Sequence, residues 1–467
     1  MSRRWSRQTE LGTSRIRGIT VLPGHGLPHG NRYLCVAGLC CRLIPRCDPT
    51  ADYAEMTNDS KRLGTDGAQV DLVLVTTSDL TLWAFFQTQI SFLTNHGLNV
   101  QTISSPGTQL HECRTRMGIT MHEVPMKRAM SPFADARALV RLWRLFRKIR
   151  PSIVHTHTPK AGLLATAAAF FARVPVRIYT FNGLLLLARS GWRRAILWLA
   201  EYVACRFATE ALCVSLSLRE VVVHAGLCPA EKIKTLGYGA SHGVDLTRFN
   251  RQACRADSRD CVRRRYDIPP AATVVGFVGR LVNDKGIKEL SEAWPELTVA
   301  FPDAHLLLCG AFEPHDPVPL DVVNRLRADP RVHITDRFEA DMVSIYTALD
   351  ICVLPTYREG LPNVALESAA LEIPIVATRV PGCVDAVIDG VTGILVEPKN
   401  ARALATALRL LIANPELRLR LGRAARAFVA ERFSESAVSE TLLQEYQRMQ
   451  TLHHLRFFNY ARIDHTI

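Results

Sequence analysis

The chain has 467 residues, 48% of them apolar and 22% charged, with a formal net charge of +13. That length suits two globular domains with separate cores, and the apolar share excludes wholesale disorder. The positive balance fits an acidic substrate such as a diphosphate, an anionic membrane surface or a merely arginine-rich background; no zinc-finger or RNP-type pattern marks a nucleic-acid partner.

Residues 1–68 read as an irregular, disordered extension, with Gly-Pro punctuation (LPGHGLPHG), four cysteines and no sustained periodicity. Arg3-Arg4 in SRRWSR resembles a twin-arginine export signal, but no proper apolar region follows it, and Met56 is an alternative start. From Val70 short apolar runs alternate with amphipathic helical stretches: DLVLVTT, the helical WAFFQTQISFLTNHG, LNVQTISS, ITMHEVP, the helix LVRLWRLFRKI, PSIVHTH, a helix from Ala161, VRIYTF, a helix near Trp192–Arg206, and ALCVS. A second set runs through ATVVGFVG, HLLLCG, RVHIT, DICVLP, IPIVAT and GILVEP, each followed by a helical segment. This alternation predicts two doubly wound α/β domains built on parallel sheets. Their boundaries are expected at 69–249 and 272–432, with a linker at 250–271 and a closing helix and tail at 433–467 that returns to the first domain.

None of the thirteen cysteines forms a C-x-x-C pair. Cys213 and Cys352 lie inside apolar runs, where a thiol acts as a small hydrophobe. This is the pattern of a reducing cytoplasm without a disulfide framework. No run reaches the roughly 18 apolar residues that a membrane span needs.

The segment VVGFVGRLVNDKG sets Arg280 and Lys285 on the loop leaving a buried strand, where α/β sheets bind ligands. Gly276, Gly279 and Gly286 allow close backbone approach. Arg offers a fork to phosphate oxygens and Lys a point charge. In PTYREGLPNVALESAA a strand gives way to a loop with Glu359 and Gly360, then to a helix with Pro362 at its first turn and Glu367 about a turn inside. Such a helix start stabilises an anion, and carboxylates so placed accept hydrogen bonds from sugar and ribose hydroxyls.

Together, Gly276-x-x-Gly279-Arg280 with Lys285, then Glu359-Gly360 and Glu367 some eighty residues on, resemble family 4 of the retaining GT-B glycosyltransferases. VPGCVDAVIDGVTGILVEP is similar to that family's closing donor-domain stretch, with Asp385 where a Glu is usual. VHTHTPKAGLLATAAA, VPVRIYT, VSLSLRE and GLCPAEKI resemble the members that assemble capsule, exopolysaccharide and O-antigen. The resemblance implies two Rossmann-like domains facing across a cleft. It also implies a nucleoside-diphosphate sugar donor, a UDP-sugar foremost, held by Gly279, Arg280, Lys285, Gly360, Leu361, Pro362, Asn363 and Glu367. His157 takes the position of the cleft histidine beside the transferred sugar; it and His155 are read as facing opposite sides of their strand. His157, Glu359, Arg280 and Lys285 form the expected catalytic set. No metal or other cofactor is implied, and no D-x-D stretch is framed as a metal site.

Three departures bear on the acceptor side: TTSDLTLW lacks the Gly-Gly loop, Asn182 stands where a His is common, and His242 where an Asn is common. Lys160 either adds charge to the cleft or is a solvated lysine. GYGASHG has the spacing G-x-G-x-x-x-G late in its domain, which fails as a dinucleotide fingerprint. The helices LVRLWRLFRKIR and GWRRAILWLAEYVACRF, apolar on one face and basic on the other, suit either packing on a sheet or contact with an anionic membrane. The expected activity is retaining transfer of a sugar to a lipid-linked or other glycan acceptor at the inner face of the cytoplasmic membrane; a GT-B nucleotide-sugar epimerase is the alternative.

Overall fold

Among the described residues thirteen short strands rich in Val, Ile and Leu alternate with helices, the pattern of sheets covered on both faces. The computed structural model describes residues 69–463 except 128, 254–257, 338 and 340. In the last helix side chains are described as far as Leu452. The readings of an export signal, an alternative start and an irregular extension at 1–68 lie outside the described residues.

The first sheet contains β1 (Leu72–Val75), β2 (Val100–Ser104), β3 (Met121–Glu123), β4 (Ile153–Thr156), β5 (Val176–Phe181), β6 (Glu210–Cys213) and β7 (Ile233–Lys234). Its order is β3-β2-β1-β4-β5-β6-β7, every pair parallel. The second contains β8 (Thr273–Val278), β9 (Ala304–Cys309), β10 (Val332–Ile334), β11 (Ile351–Leu354), β12 (Ile375–Thr378) and β13 (Gly393–Val396), ordered β10-β9-β8-β11-β12-β13 and again all parallel. In both, the order reverses between the first and fourth strands. A doubly wound sheet opens its ligand crevice at that point, outside the carboxyl ends of the strands. In the second sheet these strands are β8 and β11, the two that lead into the glycine-rich and Glu359 loops.

Two details differ from the periodicity. The stretch WAFFQTQISFLTNHG is two helices, Asp79–Phe85 and Gln87–Asn95, because Phe86 leaves helical geometry at φ −118°. Pro362 precedes its helix, Asn363–Ala370, at the capping position, where its missing N–H leaves no intrahelical bond unmade.

Two segments cross between the sheets and pair with each other. Val244 donates to Phe433 O at 2.8 Å, and Glu435 donates back to Val244 O at 2.9 Å. Gly243 sits at φ +71°, and a Cβ there would meet Glu435 Cα at 2.8 Å. After this crossing the last helix, Glu435–Ile463, sets Leu442, Leu443, Tyr446 and Met449 into the core of the first sheet. Val244, Phe249 and Phe433 belong to the core of the second. Cys113, Cys205, Cys213, Cys228, Cys309, Cys352 and Cys383 are buried free thiols. Burial pushes the Cys213 and Cys352 thiols up to about 12, so both act as hydrophobes.

Candidate functional site

The site is built first from the turn that follows β8. Gly279 sits at φ +144°, a conformation L side chains rarely adopt, and a Cβ at Gly310 would fall 1.8 Å from Gly279 O. Gly286, at φ +71°, leads into the helix Ile287–Ala300, and a Cβ there would meet Pro355 O at 1.9 Å. The two glycines therefore press the Arg280–Lys285 turn against its neighbours, the second against the end of β11. This brings Lys285 and Glu359 together: Lys285 Nζ donates to Glu359 Oε1, with both side chains mostly buried. An ammonium has three donors, so two remain for other acceptors. Beside them Arg358 pairs with Asp284 at 2.5 Å, and Tyr357 OH donates to Glu289. Arg280 makes its ion pair elsewhere. It is half exposed and bonds Glu313 at 2.9 Å.

Glu367 lies one turn into the helix Asn363–Ala370 and accepts from Tyr346 OH at 2.8 Å. Burial raises its carboxyl to about 7, against the lowering effect of the Tyr346 hydrogen bond and of Arg248. Gly360 serves the meeting of the two sheets. A Cβ there would stand 2.0 Å from Asn182 O, and Gly360 O accepts from Ser215 Oγ at 2.7 Å. Leu361 touches apolar residues of both cores. Asp385, the departure from the usual Glu, accepts from the backbone N of Ser217 at 3.2 Å and from its hydroxyl. It thereby meets an amide in the first turn of the helix Leu216–His224 from the other domain, where a carboxylate complements the helix dipole.

On the first sheet, β4 ends at Thr156 and His157 follows it. The reading that His155 and His157 face opposite sides is corrected: their ring centroids are 4.0 Å apart. Side chains along a strand alternate with period two, so residues i and i+2 share a side. His157 is buried, neither ring nitrogen has a hydrogen-bond partner, and Phe86 lies 4.4 Å from it. Burial and the nearby His242 hold the imidazole down at about 3, so it is neutral at ordinary pH. A cavity of roughly 180 Å³ opens beside it, bounded by His155, His157, the 236–241 loop and the start of the last helix. His242 is likewise held down at about 4 by burial. Lys160 is not a solvated lysine: it is mostly buried and tied to Asp135 at 2.9 Å and to Ala129 O.

Sequence reading missed Tyr346, Ser217, Thr180 and Tyr446. The last two hold His155 from a neighbouring strand and from the last helix. None carries a local signal, since each partner lies 21 to 291 residues away.

Residues 62–239 match the model of a glycosyl transferase 4-like domain. Residues 272–414 match that of glycosyl transferases group 1. The capsular polysaccharide biosynthesis glycosyltransferase CapM of Staphylococcus aureus is 34% identical over 358 residues, which is 77% of this chain and 92% of that protein. A solved structure of a glycosyltransferase from Rickettsia africae superposes with a TM-score of 0.67 at 19% identity, covering 82% of this chain and 98% of that one. HepE of Anabaena, solved with UDP and glucose, superposes with a TM-score of 0.69 at 18% identity, covering 81% and 100%. Two domain matches in this order, a relative spanned nearly end to end, and the shared pair of facing sheets lead to one conclusion: this chain belongs to the glycosyltransferase family formed by a 4-like domain and a group 1 domain, and its fold is GT-B.

Proposed function

We propose that the enzyme is a retaining, metal-independent hexosyltransferase. It takes a sugar from a nucleoside-diphosphate donor, a UDP-sugar foremost, and passes it to a polyisoprenoid-linked glycan acceptor in capsular or related cell-surface polysaccharide synthesis. The observation that carries this reading is the Lys285–Glu359 pair, placed at the switch point of the second sheet beside a helix N-terminus. Lys285 and Arg280 meet the charge that develops on the leaving diphosphate, with Arg280 swinging from Glu313. Gly279, Gly360, Leu361, Pro362 and Asn363 form the backbone cradle around it, and fixed charges and dipoles of this kind supply a large share of catalysis. Glu367 holds the ribose and Glu359 the sugar hydroxyls. His157, neutral and unpartnered, faces the transferred sugar. As the bond from the anomeric carbon to phosphate oxygen breaks, the acceptor oxygen bonds to that carbon on the same face, and its proton passes to the departing phosphate.

The name of the Staphylococcus aureus relative supports the product class, and the UDP in the Anabaena structure supports the base. For the acceptor, the helices Pro132–Ile149 and Gly191–Phe207 of the first domain expose Phe133, Trp143, Trp192 and Leu199 among Arg137, Arg141, Arg144, Arg193 and Arg194. Exposed aromatics among cations suit the headgroup region of an anionic membrane, and no described helix is long and apolar enough to cross one. We place the reaction at the cytoplasmic face of that membrane. The epimerase alternative finds no support in the comparisons.

The test is a screen of purified protein and a membrane lipid extract against radiolabelled UDP- and GDP-sugars. Label entering lipid with its anomeric configuration kept, and nucleoside diphosphate released, is expected. Donor converted to another sugar nucleotide with no label in lipid overturns the proposal.

A further inference from the structure

The His157 ring makes no hydrogen bond, so the groups packed around it set its orientation. Phe86 bounds one side at 4.4 Å, and the His155 ring bounds another at 4.0 Å. His155 is fully buried and fixed at both nitrogens: Nε2 to Thr180 Oγ1 at 2.6 Å, Nδ1 to Tyr446 OH at 2.6 Å. Burial holds its pKa well below the ordinary histidine value, so the ring is neutral. A neutral imidazole donates from one nitrogen and accepts at the other. One hydroxyl therefore donates to the ring and the other accepts from it, and the two bonds together fix the ring plane. Tyr446 is itself fully buried, on the helix that returns from the second sheet, 291 residues from His155 along the chain.

We infer that Tyr446 is a positioning residue for sugar transfer, acting through His155 to hold the His157 ring toward the cleft. The last helix is then part of the catalytic apparatus as well as a covering for the first sheet. The inference rests on the reading of His157 as the histidine beside the transferred sugar. Without the phenol oxygen, His155 Nδ1 is an unsatisfied buried group beside a cavity; the ring tilts or takes up water, and its support of His157 is lost. Small misplacements in a reacting site cost rate far more than binding.

The experiment measures kcat and donor KM for wild type, Tyr446→Phe, Thr180→Val, Thr180→Ser and His157→Ala, with thermal midpoints for each. Tyr446→Phe is expected to lower kcat about tenfold, the equivalent of one lost hydrogen bond, with donor KM unchanged. Thr180→Val is expected to reproduce that loss, and Thr180→Ser, which keeps the hydroxyl, to restore the rate. His157→Ala is expected to be slower still. If His157→Ala is slow while Tyr446→Phe turns over as wild type, this inference falls and the reading of His157 stands. If His157→Ala itself turns over normally, that reading falls and takes the inference with it. A fall in kcat matched by a large drop in midpoint, or shared by Thr180→Ser, would show a role in folding alone and overturn the positioning role.

Discussion

The two sheets share the strand order 3-2-1-4-5-6, yet their facing edges carry opposite chemistry. The edge of the second is ionic: Lys285 with Glu359, Arg358 with Asp284, Arg280 with Glu313. The edge of the first is neutral: His155, His157 and His242 are all driven below the ordinary histidine range by burial, with Phe86 among them. One topology thus presents a charged wall and an uncharged one; under the proposed function the first meets the diphosphate and, through Glu359, the sugar hydroxyls, while the second stands beside the transferred sugar. Strand order sets where a crevice lies, while the side chains at the strand ends decide the chemistry of each wall.

The largest expected effect tests the charged wall. Lys285→Ala should lower kcat/KM about 10²–10³-fold, the range for removing one preorganised charge-stabilising group. Glu359→Gln should follow at about 10–100-fold. Steady-state kinetics together with far-ultraviolet circular dichroism checks both; normal turnover in the pair breaks the contrast between the walls. The neutral wall is tested by His157→Ala. Transfer should slow by about tenfold or more, while nucleotide affinity measured by calorimetry stays constant, because His157 stands on the sheet opposite the nucleotide clamp. The contact between the walls is sharpened by Gly360→Ala. Its new Cβ would overlap Asn182 O, and overpacking of this kind costs roughly 1–3 kcal/mol. A raised donor KM and a lowered thermal midpoint are expected; an unchanged KM would show that the wall contact does not matter to donor binding.

The smallest effect is a pH dependence. Glu367 is raised to about 7 from 4.5, mainly by burial. Ribose hydroxyls are best accepted by the carboxylate, so affinity for an intact UDP-sugar should rise several-fold as pH climbs through about 7. Glu367→Gln should bind more weakly and flatten the profile. The stability effect has the opposite sign. A carboxyl raised on folding contributes stability that is lost as pH rises from 4.5 towards 7. Titration calorimetry between pH 6 and 8 reads the first effect, and a profile equally steep in the variant would remove Glu367 from the ribose site.

Much of this site is legible in single segments. Gly279, Lys285, Glu359 and Glu367 declare themselves because a glycine-rich turn after an apolar run, or a proline at a helix start, is a local pattern. Their partners are not legible. The ion pair from Lys285 to Glu359 spans 74 residues, and the hydrogen bond from Ser217 to Asp385 spans 168. Arg280 reads from sequence as a phosphate ligand, and its ion pair with Glu313 is a contact no single segment records. The misreading of His155 and His157 shows the other limit. Spacing gave the right strand, but the period-two rule was misapplied: residues two apart share a side, and the two ring centroids lie 4.0 Å apart.

By itself the amino-acid sequence determined two sets of buried strands with helices between them, and hence two parallel sheets with a crevice at the carboxyl ends. Those properties follow from period, propensity and turn chemistry over ten or fifteen residues. Only the tertiary structure decided that the last helix, once back on the first sheet, lends Tyr446 to His155, that Gly360 serves the meeting of the walls, and that His155, His157 and His242 are uncharged. Each depends on which distant segments share one volume and how much water they exclude, and no local pattern records that.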